Sequence, residues 1–246
     1  MSDSLVPVGF EQLPSTQIGS NADFDAIAKS SDFLPRLQLF TKGEMVDARL
    51  IPPGNYGIPV TKEEVTDLGD SVDILPLARR PKAVDLKDKA NIVTIYDVHN
   101  PEFDRIAKQS AEKESGCMYG TSFLVYERST GQFLEFFCGT KSSRIESKRL
   151  FAFLPCSQAD IDSATARGEN TTGMEVHGPL PVTLKSRLVR SKFSWHVPVA
   201  VKCSTPFSNL PPKVEVLAQI DKFLKVKSEG AAVVPDNGNT NTDRIR

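Results

Sequence analysis

Two runs dense in aromatic and apolar residues, 123–128 and 132–138, flank Ser129-Thr130-Gly131 and constrain the fold more than any other feature of the chain. Such composition favours strands, and a three-residue loop with glycine at a positive-φ position joins a hairpin. Ser143 and Glu146 then stand three apart, the spacing of a capping box. They predict a helix over 143–154 that Pro155 closes.

The remaining elements arrange themselves around that unit. Residues 33–40 bring the first concentrated apolar material, extended because of Pro35, and 54–60 is a short strand broken by Pro59. Residues 71–86 form a long extended segment that must bend or lie at an edge, since Pro76 and Pro81 sit inside it. A short strand over 92–97 is followed by Asn100-Pro101, an N-cap and N1 pair opening a helix. Ser157 and Gly168 bracket a polar helix, 182–189 and 194–203 read as another hairpin, and Pro211-Pro212 starts a last helix through Leu217, Ile220 and Leu224. The order is strand, strand, strand, helix, strand, strand. It predicts a mainly β (α+β) chain with the arrangement of an OB-fold, a Greek-key barrel with its helix between strands three and four. Residues 32–229 would form this domain with an insert at 92–120. Residues 1–31 read as an acidic flexible arm and 230–246 as a disordered tail.

Net charge is −1, so bulk basicity announces no nucleic-acid role. The distribution says more. Residues 1–34 carry five acids against Lys29 alone, whereas 139–202 carry ten Lys/Arg against five acids. Such segregation suits an anion-binding surface, though chance also produces it. On the 143–154 helix, Arg144, Lys148 and Phe151 share one stripe, with Lys141 and Arg149 nearby, while Leu150, Phe153 and Leu154 share another. Like charges at i, i+4 repel, which an anionic partner would relieve; a solvated basic face is the plainer alternative. Lys185 and Arg187 alternate with apolar residues in a run from 182 to 202 that holds five Lys/Arg and no acid. Arg79, Arg80 and Lys82 form a further basic cluster.

Placing Gln132 opposite Arg128 puts Phe123, Phe133 and Phe137 on one hairpin face with Glu127 and Glu135. Carboxylates seldom stay buried without a partner, so that face is expected to point outward, offering rings on which unpaired bases stack. The same rings could instead pack under the insert or at a dimer interface. Trp195, the only tryptophan, is either a stacking platform beside the basic strands or a core anchor.

Catalytic signatures are missing. Gly139-Thr140-Lys141-Ser142 lacks the order of a phosphate-binding loop, no nucleophile elbow occurs, and His99, His177 and His196 stand apart without metal-ligand spacing. Cys117 could serve as a nucleophile, but a small residue in a tight turn explains it better. Four irregularly spaced cysteines and no leader or long apolar run point to free thiols in the cytoplasm, that of the host cell if the chain is phage-encoded, with no cofactor, metal or membrane.

Several phrases also carry a resemblance: Phe33-Leu34-Pro35-Arg36, Arg80-Pro81-Lys82-Ala83, Ser115-Gly116-Cys117-Met118-Tyr119-Gly120, Gly139-Thr140-Lys141-Ser142-Ser143-Arg144, Trp195-His196-Val197-Pro198 and Cys203-Ser204-Thr205-Pro206-Phe207. Over about residues 33–207 the chain resembles uncharacterised bacteriophage proteins. In segment order it resembles phage OB-fold proteins that coat single-stranded DNA. The acidic tail common in that group is replaced here by Asp243-Arg244-Ile245-Arg246. The resemblance implies sequence-tolerant single-stranded DNA binding in phage replication or recombination, without catalysis. Replication or recombination proteins and further copies of the chain are its possible partners. Lys141, Arg144, Lys148, Lys185 and Arg187 would contact phosphate, while Phe123, Phe133, Phe137 and Trp195 would stack bases. The alternative is a non-enzymatic phage structural or protein-interaction protein.

Overall fold

The computed structural model describes residues 34–229 apart from 62, 88–91, 113–114, 191–193 and 227, so the expected arm and tail lie outside the described residues. In chain order the elements are β1 (Arg36–Leu39), α1 (Glu44–Asp47), β2 (Tyr56–Pro59), β3 (Val65–Gly69), β4 (Ser71–Asp85), β5 (Val93–Ile95), α2 (Pro101–Gln109), β6 (Cys117–Glu127), β7 (Gln132–Cys138), α3 (Lys141–Leu150) with a 3-10 turn (Phe151–Phe153), α4 (Gln158–Ala166), β8 (Val182–Arg190), β9 (Ser194–Lys202), α5 (Lys213–Lys225) and β10 (Ser228–Glu229). The chain is mainly β, with helices laid on a large mixed sheet.

β4 is the central strand. It pairs with β6 along almost its whole length, with β8 through Ser71–Ile74, and with β5 through Ala83–Asp85. Between those two partners its second edge carries no strand among the described residues, and Pro76 and Pro81 fall in that stretch, where a missing N–H removes no ladder bond. The sheet runs β10-β5-β4-β6-β7-β1-β2-β3, and β8 and β9 branch from β4. The expected closed barrel does not form. β7 takes β1 as its parallel neighbour instead of β9, and the sheet stays open among the described residues. The region expected as an insert is part of this sheet, since β5 and the first half of β6 both pair with β4.

Three apolar clusters hold the layers together. The first, with Tyr56, Ile74, Phe123, Leu134, Phe136 and Leu184 among its members, is closed by Leu150 and Leu154 at the end of α3. The second lies on the other face of the sheet, where Val216, Ile220 and Phe223 of α5 cover Leu75, Leu77 and Leu124. The third sits under α2, whose Phe103 and Ile106 meet Ala83 and Ile95. The α2 N-cap is the expected Asn100 followed by Pro101, and Ser157 caps α4 as expected.

The β6–β7 hairpin differs from its expected register by one residue. Gln132 stands opposite Glu127, not Arg128, and the loop is therefore four residues long. The turn chemistry explains the shift. The Glu127 carboxylate accepts from Ser129 N (2.7 Å) and Oγ (2.8 Å) and from Thr130 N (2.7 Å) and Oγ1 (2.7 Å). Arg128 leaves this ladder to pair with Asp73 of β4 at 2.8 Å, and Gly131 closes the loop at φ 65. A one-residue slip exchanges the faces of an entire strand. Phe123 and Val125 consequently meet Leu134 and Phe136 in the first cluster, while Phe133, Glu135 and Phe137 share the opposite face with Ser122, Leu124 and Tyr126. Both glutamates expected to be solvated are buried.

Glu127→Ala should lower stability by about 1–3 kcal/mol, the cost of leaving turn donors without an acceptor. A denaturant titration would read this as a lower midpoint at unchanged slope. An unchanged midpoint would mean that the turn holds without the carboxylate.

Candidate functional site

Charge on the α5 side of the sheet is concentrated at Glu135, which is 4% exposed. Lys82 Nζ lies 2.6 Å from one carboxylate oxygen, and Arg80 Nη2 lies 3.3 Å from the other. Ser122 Oγ (2.5 Å) and Tyr96 Oη (3.3 Å) donate to that second oxygen. Burial alone would push the Glu135 carboxyl up. The charges of Lys82 and Arg80, with hydrogen bonds from Lys82 and Ser122, outweigh it and hold the group at about 2. Arg80 is sandwiched between the rings of Tyr96 (3.3 Å) and Phe223 (4.1 Å), and its Nη1 donates to the carbonyls of Phe223 and Val226 at the end of α5. Orphan carbonyls at a helix C-terminus are suited to such a cation. Arg80 and Lys82 are thus structural residues, 6% and 2% exposed.

On α3 the N-cap is Thr140, not Ser143. The Thr140 side chain accepts from Ser143 N, and Ser143 Oγ accepts from Thr140 N. Glu146, the other half of the expected box, is buried beside Ser143, Ser147 and Leu150, and Arg149 Nη1 lies 3.3 Å from its carboxylate. The outer surface of the helix carries Lys141, Ile145 and Lys148, and half-buried Arg144 lies 5.9 Å over the ring of Tyr119. Among the described residues no carboxylate approaches Lys141, Arg144 or Lys148 within 4.0 Å.

Lys185 and Arg187 stand on β8, exposed and likewise without a described carboxylate within 4.0 Å. Alternation places them on the face opposite Val182 and Leu184, which enter the first cluster. Past Lys185 the β8–β9 pair continues without β4, as a two-stranded arm. Trp195 pairs with Val189 on the same face as the two bases and is 37% exposed. On the other face the His196 ring packs on Gly54, where a Cβ would lie 2.1 Å from Nδ1. The expected bases therefore form two patches, one along α3 and one on the outward face of the arm.

The ring platform expected on the β6–β7 hairpin is not present as such. Phe123 is fully buried, 5.9 Å from the ring of Phe151. Phe133 is half-buried against Tyr126 (5.3 Å) and floors a shallow groove of about 500 Å³ between Pro35 and Gln219. Phe137 is half-buried with Lys82 Nζ 5.2 Å from its ring centre. Of the four rings only Trp195 is exposed.

Sequence reasoning missed the Glu135 cluster. Its signal was a carboxylate within an aromatic strand together with two bases in another strand, a pattern that buried ion pairs leave. Among the described residues no three His, Cys, Asp or Glu side chains converge as a metal site, and no helix is long and apolar enough to cross a membrane. Comparison with family models, with curated proteins and with solved structures finds no match to the chain.

Because Glu135 is held below its unfolded value near 4.3, its contribution is complete above that pH and is lost as pH falls toward about 2. Glu135→Gln should cost about 3–5 kcal/mol near neutrality, since it leaves buried cations without their counter-charge. Thermal melts at about pH 6 and about pH 3 should show the gap between variant and wild type narrowing in acid. An equal gap at both would remove the ionised carboxylate from the account.

Proposed function

We propose that this chain is a non-enzymatic, sequence-tolerant single-stranded DNA-binding protein of phage replication or recombination, built on an opened relative of the OB barrel. Support for the architecture comes from the order β4, β6, β7, α3, β8, β9 and from the pairing of β4 with both β6 and β8. The barrel differs where β1 occupies the place beside β7 that closure would give to β9.

The observation that carries the reading is which cations lack partners. Arg80, Lys82, Arg105, Arg128, Arg149, Arg167 and Lys225 each have a carboxylate within 4.0 Å. Lys141, Arg144, Lys148, Lys185 and Arg187 have none among the described residues; Lys42, Arg49, Lys108 and Lys213 have none either but are scattered, whereas the first three share α3 and the last two share β8. Cations left open at i, i+4 on one helix repel each other until an anion arrives. Contacts of this kind reach phosphates and leave base edges unread, hence the tolerance of sequence. Trp195 supplies the ring for base stacking beside Lys185 and Arg187. A second reading, a structural or interaction protein of the phage, is favoured by Ile145, 60% exposed between Lys141 and Lys148 on the outer stripe of α3.

The test is titration of labelled oligo-dT and the matching duplex at about 50 and 200 mM salt. Wild type should prefer the single strand and weaken as salt rises. The Arg144→Ala/Lys148→Ala double variant should reduce the salt slope by about 1.4, two phosphate contacts at roughly 0.7 each. No binding near 50 mM salt would overturn the reading and leave the protein-contact alternative, in which association depends on Ile145.

A further inference from the structure

The α3 stripe does not end on α3. Phe151 continues it into the 3-10 turn, and Arg79 of β4 places its guanidinium 4.1 Å over the Phe151 ring. Arg144 makes a looser approach at the other end, 5.9 Å over Tyr119, whose ring meets Phe103 edge-on at 5.7 Å. Arg79 stands opposite Phe123 and Ala83 stands opposite Tyr119, so both arginines approach the same face of the β4–β6 ladder. Four residues of β6 separate the two positions, about 13 Å along the strand. Seven residues of α3 and its turn separate Arg144 from Phe151, about 10 Å along the helix. The two lengths agree, so the helix lies along the strands, and Lys148, one turn after Arg144, falls between the two arginines.

Arg79 is exposed and has no described carboxylate within 4.0 Å, although the charge of Asp160 on α4 acts on it from further off and an incoming phosphate must compete with it. Arg79 at 4.1 Å is stacked on its ring, which restricts its rotamers and leaves its N–H fork to match two phosphate oxygens, whereas Arg144 at 5.9 Å makes only the looser cation–π approach. Two guanidinium groups, one stacked and one beside a ring, with an ammonium between them make a linear track for successive phosphates and not a pocket for one.

We propose that Arg79, Lys148 and Arg144 form a phosphate track along the α3 flank of the β4–β6 ladder, with Arg79 fixed by Phe151 and Arg144 beside Tyr119. Its ligand is the phosphodiester backbone of a single strand. The proposal rests on the DNA-binding reading and adds Arg79, Tyr119 and Phe151 to it.

The full chain would be titrated with labelled oligo-dT at several salt concentrations, as wild type, Arg79→Ala, Arg79→Lys and Arg167→Ala. Arg167 pairs with Glu169 on an exposed turn and serves as control. Arg79→Ala should weaken binding about tenfold and flatten the salt slope by roughly 0.7. Arg79→Lys should restore the slope but not the full affinity, because the charge remains and the stacked fork does not. Arg167→Ala should change neither. The Arg79 Nε–H resonance of wild type should move when oligo-dT is added, a readout independent of variant folding. Wild type that binds while Arg79→Ala keeps its slope and the resonance stays still would overturn the track and leave DNA binding standing. Wild type that ignores oligo-dT would overturn both.

Discussion

One extra residue in β4 decides which side of the sheet each later basic residue occupies. Before it, Val72 and Ile74 face the first cluster; the ladder with β6 then shifts between Pro76 and Ala78, leaving Leu77 as the additional residue. A bulge of this kind reverses the alternation of everything that follows. Leu75, Leu77 and Ala78 all face α5 as a result, and Arg80 and Lys82 follow Ala78 to that side while Arg79 turns to the α3 side. Without the bulge, two of the three bases would enter the first apolar cluster, where no carboxylate stands in register to receive them.

Glu135 makes the arrangement stable on the α5 side. The bulge brings Arg80 and Lys82 to the face that the hairpin register gives to Glu135, and the two local irregularities only work together. Each ion alone would cost several kcal/mol to bury, so the cluster is held by its mutual attraction and its hydrogen bonds from Ser122 and Tyr96. It joins β4, β6 and β7 to Tyr96 and, through the bonds of Arg80 to the last carbonyls of α5, to the helix that covers the second cluster. Its contribution is therefore specificity of assembly as much as stability: the helix end, the hairpin and the central strand meet at one carboxylate.

Several strands were legible, though β3 and residues 117–122 of β6, where a tight turn was expected at Cys117, were not. Residues 71–85, 132–138, 182–190 and 194–202 carry β-type composition, and the caps at Asn100 and Ser157 follow from local hydrogen bonding that reaches only two or three residues. Register was not legible, because a three-residue and a four-residue loop both accommodate Gly131. The choice depends on Glu127 folding over its own turn and Arg128 reaching Asp73, a partner 55 residues away in sequence. That one residue carried Phe123 into the core and Glu135 into an ion cluster. The parallel seat of β1 beside β7 was equally hidden, since 36–39 contains nothing that names its neighbour. Periodicity on α3 placed Arg144, Lys148 and Phe151 on one stripe, but Arg79 joins them only through tertiary packing.

A chain of net charge −1 can present a cationic track where the carboxylates near it are paired with other bases or turned away. The bases beside carboxylates are consumed: Arg80 and Lys82 by Glu135, Arg128 by Asp73, Arg105 by Asp85 and Glu102, and Arg149 by Glu146. Glu146 is the telling case. It lies on α3 itself, between Arg144 and Lys148 in sequence, yet it is buried and has Arg149 beside it. Turned outward, it would neutralise the stripe at i+2 of Arg144 or compete for the anion there. Its inward placement leaves Arg144, Lys148 and Arg79 as a run of positive charge bordered by rings and tempered at the Arg79 end by Asp160, so the surface potential at that flank is set by local placement more than by the net charge of the chain.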